Sequence, residues 1–164
     1  YSVPKVAEEF PYILITGARI PTFFQSEFRQ LPKLRKGRRE PECELHPETA
    51  KALGVKEGDW VSVETMRGKC RQKVKLFSGI DPRVVHAQHG WWFPEDNTTA
   101  DHGIWDSNAN TLTSIEPPYC SAMGTYQLRA LLCKVVKVEL SKKPWTPKRN
   151  FAYKTNVNNV QEWT

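Results

Sequence analysis

Hydrophobic and polar positions divide most of the chain into short strand-like runs separated by loops. The apolar run at residues 12–15 is continuous, which is typical of a strand buried on both faces. Polar and apolar residues alternate at 42–45 and again on both sides of a turn at 66–68, and the second pattern favours a β-hairpin. The predicted strands cover residues 12–15, 42–45, 60–65, 69–77, 83–88 and 130–140.

Residues 46–54 carry the clearest helix signals in the chain. Pro47 suits the first helical turn, Glu48 favours the positive end of the helix dipole, and Gly54 is placed to end the helix. A second, short helix is predicted to begin near Thr22. Together with the strands, these helices predict a mainly β protein, a barrel with small helices at its corners.

The chain has the length of one domain, with 164 residues. Residues 1–10 are predicted to form an extended lead-in, residues 11–140 the barrel, and residues 141–164, which lack an apolar period, a tail lying on a surface. Because the chain begins at Tyr1 without a signal-like segment, we expect an excised fragment or a processed chain. It has no run of about 18 apolar residues, so no transmembrane helix is predicted.

Positive charge adds a candidate class of partner. The net charge of +6 suits phosphate, nucleic acid or an acidic surface without choosing among them. Five of the seven residues at 33–39 are basic, which indicates either a solvated loop or an electropositive rim that attracts an anion. Four more basic residues share one face of the strand at 69–77, so that face should be wet or should meet an anion. They are Lys69, Arg71, Lys73 and Lys75.

Cysteine and histidine spacing argues against a metal site within the chain. The four cysteines, at positions 43, 70, 120 and 133, include no Cys-x-x-Cys pair, so free buried or partly buried thiols are favoured over a disulfide framework, and zinc-ribbon and iron–sulfur spacings are absent. His86 and His89 are close in sequence, but their strand-like setting does not favour joint ligation of a metal. No nucleophile–base arrangement is evident, so no complete catalytic site is predicted.

Three loops carry groups that are suited to a ligand. Thr16–Gly17 permits a close backbone approach, and Arg19 offers a planar fork for phosphate or carboxylate, although a plain turn with a solvated arginine has the same pattern. The segment 89–95 places two tryptophans beside a glycine, either as a core plug or interface or as an aromatic wall over a planar ligand. The polar side chains of 108–113 can bond either turn backbone or ligand amides.

Taken together, these motifs resemble one family. It is the carboxyl-terminal molybdopterin-dinucleotide-binding domain of the dimethyl sulfoxide reductase family of molybdenum and tungsten enzymes. The resemblance covers roughly residues 8–140 and implies a six-stranded double-psi β-barrel. The motifs that carry it lie at residues 12–19, 26–29, 46–54, 58–59, 67–68, 89–92 and 110–113.

The resemblance also implies the cofactor, molybdopterin guanine dinucleotide, and the residues that would contact its pterin and phosphate groups. In the family, two such dinucleotides hold one metal. Arginines would pair with anionic oxygens, and Asn110 would offer both a donor and an acceptor to a pterin edge. Many relatives carry histidine where this chain has Gln25, and glutamine cannot become a cation. The matching positions are Thr16, Gly17, Ala18, Arg19, Gln25, Ser26, Arg29, His89, Gly90, Trp91, Asn110, Thr113, Tyr126 and Arg129.

Partners follow from what the sequence lacks. The metal ligand and the iron–sulfur cysteines of the family lie in earlier domains, and no residue of this chain matches them. The resemblance therefore implies a domain that is inactive alone and whose partners are the remaining domains of a catalytic subunit, with an electron-transfer iron–sulfur subunit as a further candidate. The parent would be an oxidoreductase or, less often, a hydratase; acetylene hydratase and the polysulfide and thiosulfate reductases fall within the resemblance.

A second class of function is a basic β-barrel that binds nucleic acid or another anionic polymer. Such a barrel needs aromatic residues interleaved with lysine and arginine on one exposed face. Here the tryptophan pair follows His89 and Gly90 and lies far in sequence from the basic run at 33–39. The cofactor-binding hypothesis is therefore favoured.

Overall fold

A computed structural model describes residues 5–17, 19–94, 101–115, 119–126 and 129–139. Six strands close into a barrel in the order β1-β5-β2-β4-β3-β6. The strands are β1 (Tyr12–Ile15), β2 (Glu42–Leu45), β3 (Trp60–Glu64), β4 (Lys69–Leu76), β5 (Val84–Ala87) and β6 (Leu131–Lys137). The described helices are α1 (Lys5–Glu9), α2 (Pro32–Arg35), α3 (Pro47–Ala52), α4 (Ile104–Ser107) and a 3-10 helix (Ala109–Leu112). This confirms the mainly β class, a six-stranded double-psi β-barrel with a few short helices.

Strand direction brings three of the connections to one end of the barrel. β1 is parallel to β5, and β2 is parallel to β4, whereas the other four neighbouring pairs are antiparallel. Consequently β1, β3 and β5 end where β2, β4 and β6 begin. We call this the loop end; it carries the β1–β2 connection (16–41), the β3–β4 turn (65–68) and the β5–β6 connection (88–130). The β2–β3 and β4–β5 connections lie at the opposite end.

The interior of the barrel is filled by side chains at alternating strand positions. Along β4, Cys70, Gln72 and Val74 are buried while the residues between them are half-buried. Each fully buried valine or leucine side chain stabilises the fold by about 1.5–3 kcal/mol. Leu14 and Leu45 belong to the same apolar cluster, together with residues of all six strands. The alternation read from the sequence therefore identifies the inward face of the hairpin correctly.

Three of the cysteines belong to this core, and all four are free thiols, as predicted. Burial raises the pKa of Cys70 and of Cys133 to about 12, and it raises that of Cys43 well above its usual value. These side chains therefore stay protonated and act as small apolar groups. Cys120 is exposed.

The α3 helix forms as the sequence indicates. Pro47 occupies the first turn, and the His46 ring accepts a hydrogen bond from the Glu48 backbone N–H at 3.2 Å. Gly54 follows the helix with φ +66°, a left-handed conformation that costs glycine little. The β-hairpin predicted around residues 66–68 is also present, as β3 and β4.

Several local predictions were wrong. The lead-in contains a helix, α1, instead of only extended chain, and two further short helices, α2 and α4, form in segments read as loops. The segment after Thr22 forms turns, because Gln25 and Phe28 adopt positive φ angles that a helix excludes. β1 is not buried on both faces: Leu14 alone is fully buried among its four residues, since a barrel strand has one inward face. The predicted tail, 141–164, lies outside the described residues.

Candidate functional site

Of the fourteen positions predicted to contact the cofactor, the structure describes thirteen, all of them at the loop end. They lie in two connections, 16–41 after β1 and 88–130 after β5. Ala18 falls outside the described residues. Exposed positions are Gly17, Arg19, Gln25, Ser26, Asn110, Tyr126 and Arg129; partly buried ones are Thr16, His89, Gly90 and Thr113; Arg29 and Trp91 are buried.

His89 links the two connections through both of its ring nitrogens. Nδ1 lies 2.9 Å from the carbonyl oxygen of Thr16, and because a carbonyl can only accept, Nδ1 carries a hydrogen. Nε2 lies 3.0 Å from the side-chain oxygen of Gln25. By turning its amide, Gln25 can donate to a neutral His89 ring or accept from a protonated one. The histidine thus ties Gln25 of one connection to Thr16 beside β1.

Arg29 is a buried cation at the centre of the same region. Its side chain is 1% exposed, and its guanidinium carbon lies 4.4 Å from the ring centroid of Phe23 and 4.2 Å from that of Trp91. Nε donates to the carbonyl of Gly90 at 2.7 Å. Nη2 donates to the carbonyl oxygens of Gln25, at 3.1 Å, and of His89, at 3.2 Å. Nε and Nη2 are thus directed at backbone of both connections, whereas Nη1 is buried with no hydrogen-bond partner among the described residues.

The two adjacent tryptophans have different environments: Trp91 is buried, and Trp92 is half-buried and forms a hydrogen bond to the other connection. Trp91 is 1% exposed and packs edge-on against Phe23, as the core-plug alternative predicts. Trp92 is half-buried, and its Nε1–H donates to the carbonyl of Ser26 at 2.6 Å. The small apolar cluster of Ile20, Phe23, Trp91 and Phe93 is separate from the barrel core. Contact between Trp91 and a ligand stays a prediction.

Gly90 and Gly17 permit two close approaches. Gly90 has φ +67°, and a Cβ atom added there would lie 3.1 Å from the backbone of Gln25 and Ser26. A Cβ on Gly17 would lie 3.3 Å from Nε and Nη2 of Arg129, so the Arg129 guanidinium covers that glycine. Backbone of the two connections therefore packs at a distance that side chains would prevent.

Two exposed arginines at this end differ from Arg29. Neither Arg19 nor Arg129 forms an ion pair with a carboxylate anywhere in the described part of the chain. Since an arginine remains charged at every physiological pH, both are available to an anion from solution. Arg129 lies against Gly17, directly after β1.

Asn110 and Thr113 form a second group of candidate residues at the loop end. The 3-10 helix that carries Asn110 is anchored to the β3–β4 turn, because the Thr65 hydroxyl donates to the Leu112 carbonyl at 2.9 Å. The Thr113 hydroxyl donates to the Asn110 carbonyl at 3.1 Å. Asn108 caps this helix by accepting from the Asn110 N–H, which is the turn chemistry predicted for 108–113. The side chain of Asn110 itself is exposed.

The basic residues of β4, which suggested an anion-binding face, are mostly balanced within the chain. Lys73 pairs with Glu40, and Lys75 lies 3.1 Å from Glu44. Arg71 pairs with Asp106 at 3.3 Å. In the run at 33–39, Arg35 is buried, and Arg38 pairs with Glu42 at 3.4 Å. These contacts reduce the case for a continuous surface that binds a polyanion.

Sequence reasoning missed the two glutamines that fix the end of β5. Gln72 is fully buried; its Nε2 donates to the Gln88 carbonyl at 2.8 Å, and its Oε1 accepts from the Gln88 N–H at 3.0 Å. The side chain of Gln88 in turn accepts from the Glu42 N–H at 2.9 Å. These bonds set the position of the next residue, His89. A glutamine on the inward face of the alternating strand 69–77 was the available signal.

A metal centre built by this chain is not evident. Within the described ranges, no group of three or more histidine, cysteine, aspartate and glutamate side chains is arranged to hold a metal ion. His86 bonds Glu44 at 3.0 Å, whereas His89 bonds Thr16 and Gln25, so the two histidines have different partners.

The described residues also include no helix that is long and apolar enough to span a bilayer.

Comparisons with known proteins identify the family of this chain. The model of the family described as "Molydopterin dinucleotide binding domain" matches residues 12–130. A dopamine dehydroxylase of Eggerthella lenta is 38% identical over 140 residues, which are 84% of this chain and 13% of that protein. Acetylene hydratase of Syntrophotalea acetylenica is 37% identical over 103 residues, covering 63% of this chain and 14% of the hydratase.

A solved structure resembles the whole barrel. Acetylene hydratase from Pelobacter acetylenicus superposes with a TM-score of 0.77 and 31% sequence identity, covering 82% of this chain and 19% of the hydratase. The chain therefore spans less than a fifth of the length of these relatives.

Proposed function

Because the chain belongs to the molydopterin dinucleotide binding domain family, we propose that its loop end contacts the pterin and phosphate groups of a molybdopterin guanine dinucleotide. The observation that supports this most is the pair of exposed arginines, Arg19 and Arg129, for which the described residues supply no carboxylate. Two permanent cations at the loop end, one of them lying against Gly17, suit a diphosphate, since charged oxygens accept strong hydrogen bonds from arginine.

The remaining candidate residues fit the less charged parts of the same ligand. Gln25, Ser26 and Asn110 are exposed and can each donate and accept hydrogen bonds. His89 holds Gln25 in position through its Nε2 atom. These groups would bind and orient the pterin edge, whereas the arginines would hold the phosphates. The bound dinucleotide would bring the molybdenum or tungsten centre, for which the described residues offer no group of metal ligands.

The second part of the proposal concerns the parent protein. The chain corresponds to 13–19% of the length of its relatives, so we propose that it is the carboxyl-terminal domain of a larger catalytic subunit. By itself it would bind cofactor without catalysing a reaction. The other domains of that subunit would be its partners, with an electron-transfer iron–sulfur subunit as a further one in a parent that is an oxidoreductase.

Titration with guanosine diphosphate tests the binding part. The probe carries the guanine and diphosphate groups of the dinucleotide but no pterin, so the amide signal of Gly17, beside Arg129, should shift in an isotope-labelled chain. Arg19→Gln should lower the affinity about tenfold or more, because a charge-assisted hydrogen bond contributes about 1.5–3 kcal/mol. Arg83→Gln is the matched control, since Arg83 is an exposed arginine at the opposite end of the barrel.

A single-stranded oligonucleotide separates the alternative function. Salt-sensitive oligonucleotide binding that shifts signals of residues 33–39, with no response to guanosine diphosphate, would favour a polyanion-binding barrel. Equal loss of affinity in Arg19→Gln and Arg83→Gln would show that overall charge, and not the loop end, attracts the nucleotide.

A further inference from the structure

Arg29 has an unusual environment for a residue that was expected to bind an anion. It is 1% exposed, and its planar group lies between the rings of Phe23 and Trp91. Among the described residues, no carboxylate pairs with it. Burial and then the nearby charge of Arg35 lower the pKa of Arg29 to about 10, which still leaves it charged at neutral pH. A buried charge of this kind needs strong local compensation.

The compensation comes from backbone carbonyls of two different connections. Nε and Nη2 bond the Gly90 and His89 carbonyls after β5, and Nη2 also bonds the Gln25 carbonyl after β1. The rings add a favourable interaction between the cation and their faces. Lysine could not reproduce this pattern, because its ammonium group is a point charge without the rigid planar fork.

The carbonyls that Arg29 binds belong to segments with strained backbone. Gln25 has φ +54°, and Phe28, one residue before Arg29, has φ +70°. Residues other than glycine adopt such angles at a cost in free energy, and they persist where surrounding contacts enforce them. Gly90 has φ +67° and packs against the backbone of Gln25 and Ser26. The bond from Arg29 to the Gln25 carbonyl therefore helps to hold a conformation of Gln25 that the local sequence does not favour.

The same segments carry the side chains that face the proposed ligand. Gln25 is exposed, and it bonds the ring of His89, whose other nitrogen bonds Thr16. Both Gln25 and His89 therefore present a side chain to the loop end while their carbonyls bind Arg29 on the inner side.

We propose that Arg29 is a positioning residue: it does not touch the cofactor but clamps the connection after β1 onto the connection after β5, so that Gln25 and His89 face the site together. The identity of the ligand rests on the proposed function, but the clamp itself does not. The clamp makes the loop end a rigid unit before any ligand arrives.

Amide hydrogen exchange in the 164-residue chain tests the clamp without ligand. In Arg29→Lys, the amides of Glu27 and Phe93, which bond other loop carbonyls, should exchange about tenfold faster or more, while amides of β3 and β4 keep their rates. The matched control, Arg83→Lys, should change neither group. Unchanged loop exchange in Arg29→Lys would overturn the proposal.

A measurement on the unmodified chain covers the case in which the variant does not fold. The Arg29 Nε–H signal should exchange slowly with solvent and should not shift during titration with guanosine diphosphate, whereas the Arg19 Nε–H signal should shift. A shift at Arg29 as large as that at Arg19 would make it a ligand contact and overturn the clamp. If no arginine responds to the nucleotide but the Arg29 signal stays protected, the clamp stands and the proposed function fails.

Discussion

Two groups of basic side chains in this molecule are balanced in different ways. On β4, Lys73 and Lys75 face glutamates before or within the neighbouring strand β2, and Arg71 faces Asp106. At the loop end, Arg29 is balanced by carbonyls and rings, and Arg19 and Arg129 are exposed with no carboxylate partner in the described chain. The comparison shows that the density of basic residues in a sequence does not reveal which of them have carboxylate partners. Under the proposed function, the cations without such a partner at the loop end are the ones that would meet the phosphates.

The largest expected effect is the loss of the buried cation. Arg29→Ala should lower the free energy of unfolding by about 3–5 kcal/mol, because three carbonyls lose a donor and a cavity opens between two rings. Urea unfolding would measure it, with Arg83→Ala as the control whose midpoint should fall far less, since Arg83 loses only an exposed ion pair with Asp81. If the two variants unfold at the same urea concentration, carbonyls and rings do not compensate Arg29 as described.

The next effect concerns the contact between the β3–β4 turn and the 3-10 helix that carries Asn110. A Cβ on Gly68 would lie 2.5 Å from the carbonyl oxygen of Thr111, which belongs to the backbone and cannot move aside independently. Gly68→Ala should therefore destabilise the fold by about 1–3 kcal/mol and shift the Asn110 amide signal. Gly37→Ala, where nothing lies within 4 Å of the added atom, should do neither. If the Asn110 signal does not shift in Gly68→Ala, the position of Asn110 does not depend on its contact with the β3–β4 turn.

The third expected effect is a pH dependence of stability that arises from His86. This residue lies on β5 and bonds Glu44, which also pairs with Lys75 of β4. Burial lowers the pKa of His86 below 6.5, although Glu44 acts in the opposite direction and His89 and Lys75 add to the lowering. The unfolded chain then binds more protons than the folded one below pH 6.5, so stability falls as the pH falls from 6.5 towards the folded pKa.

The slope of this dependence is at most about 1.4 kcal/mol per pH unit for one group. Urea unfolding at pH 7.5 and pH 5.5 should show a smaller loss of stability for His86→Gln than for the original chain. Equal losses in the two proteins would mean that Glu44 outweighs burial and keeps the histidine protonated.

The smallest expected effect is the removal of one paired lysine. Lys75→Gln should cost about 0.2–1 kcal/mol, since the pair with Glu44 is partly exposed and screened by salt. Its affinity for guanosine diphosphate should equal that of the original chain, in contrast to Arg19→Gln. If Lys75→Gln weakens nucleotide binding as much, the distinction between paired and unpaired cations fails.

The sequence by itself determined the strands, the α3 helix, the hairpin and the free thiols. Each depends on local information: alternation along residues 69–77, proline and glycine at the two ends of α3, and the lack of paired cysteine spacings. The six-stranded class and the set of candidate residues came from motif resemblance. The sequence also predicted that the polar candidate residues follow strands, and in the structure they lie in the connections after β1 and β5.

Only the tertiary structure decided which basic groups are paired and which are buried. The parallel pairing of β2 with β4 places Glu44 opposite Lys75, 31 residues away, and alternation within one strand cannot reveal that partner. Likewise, Arg29 and Arg19 are the same residue type in one connection, yet one is 1% exposed and the other lies in solvent. The reason is that burial and charge compensation are set by contacts between distant segments, which exist once the barrel has closed.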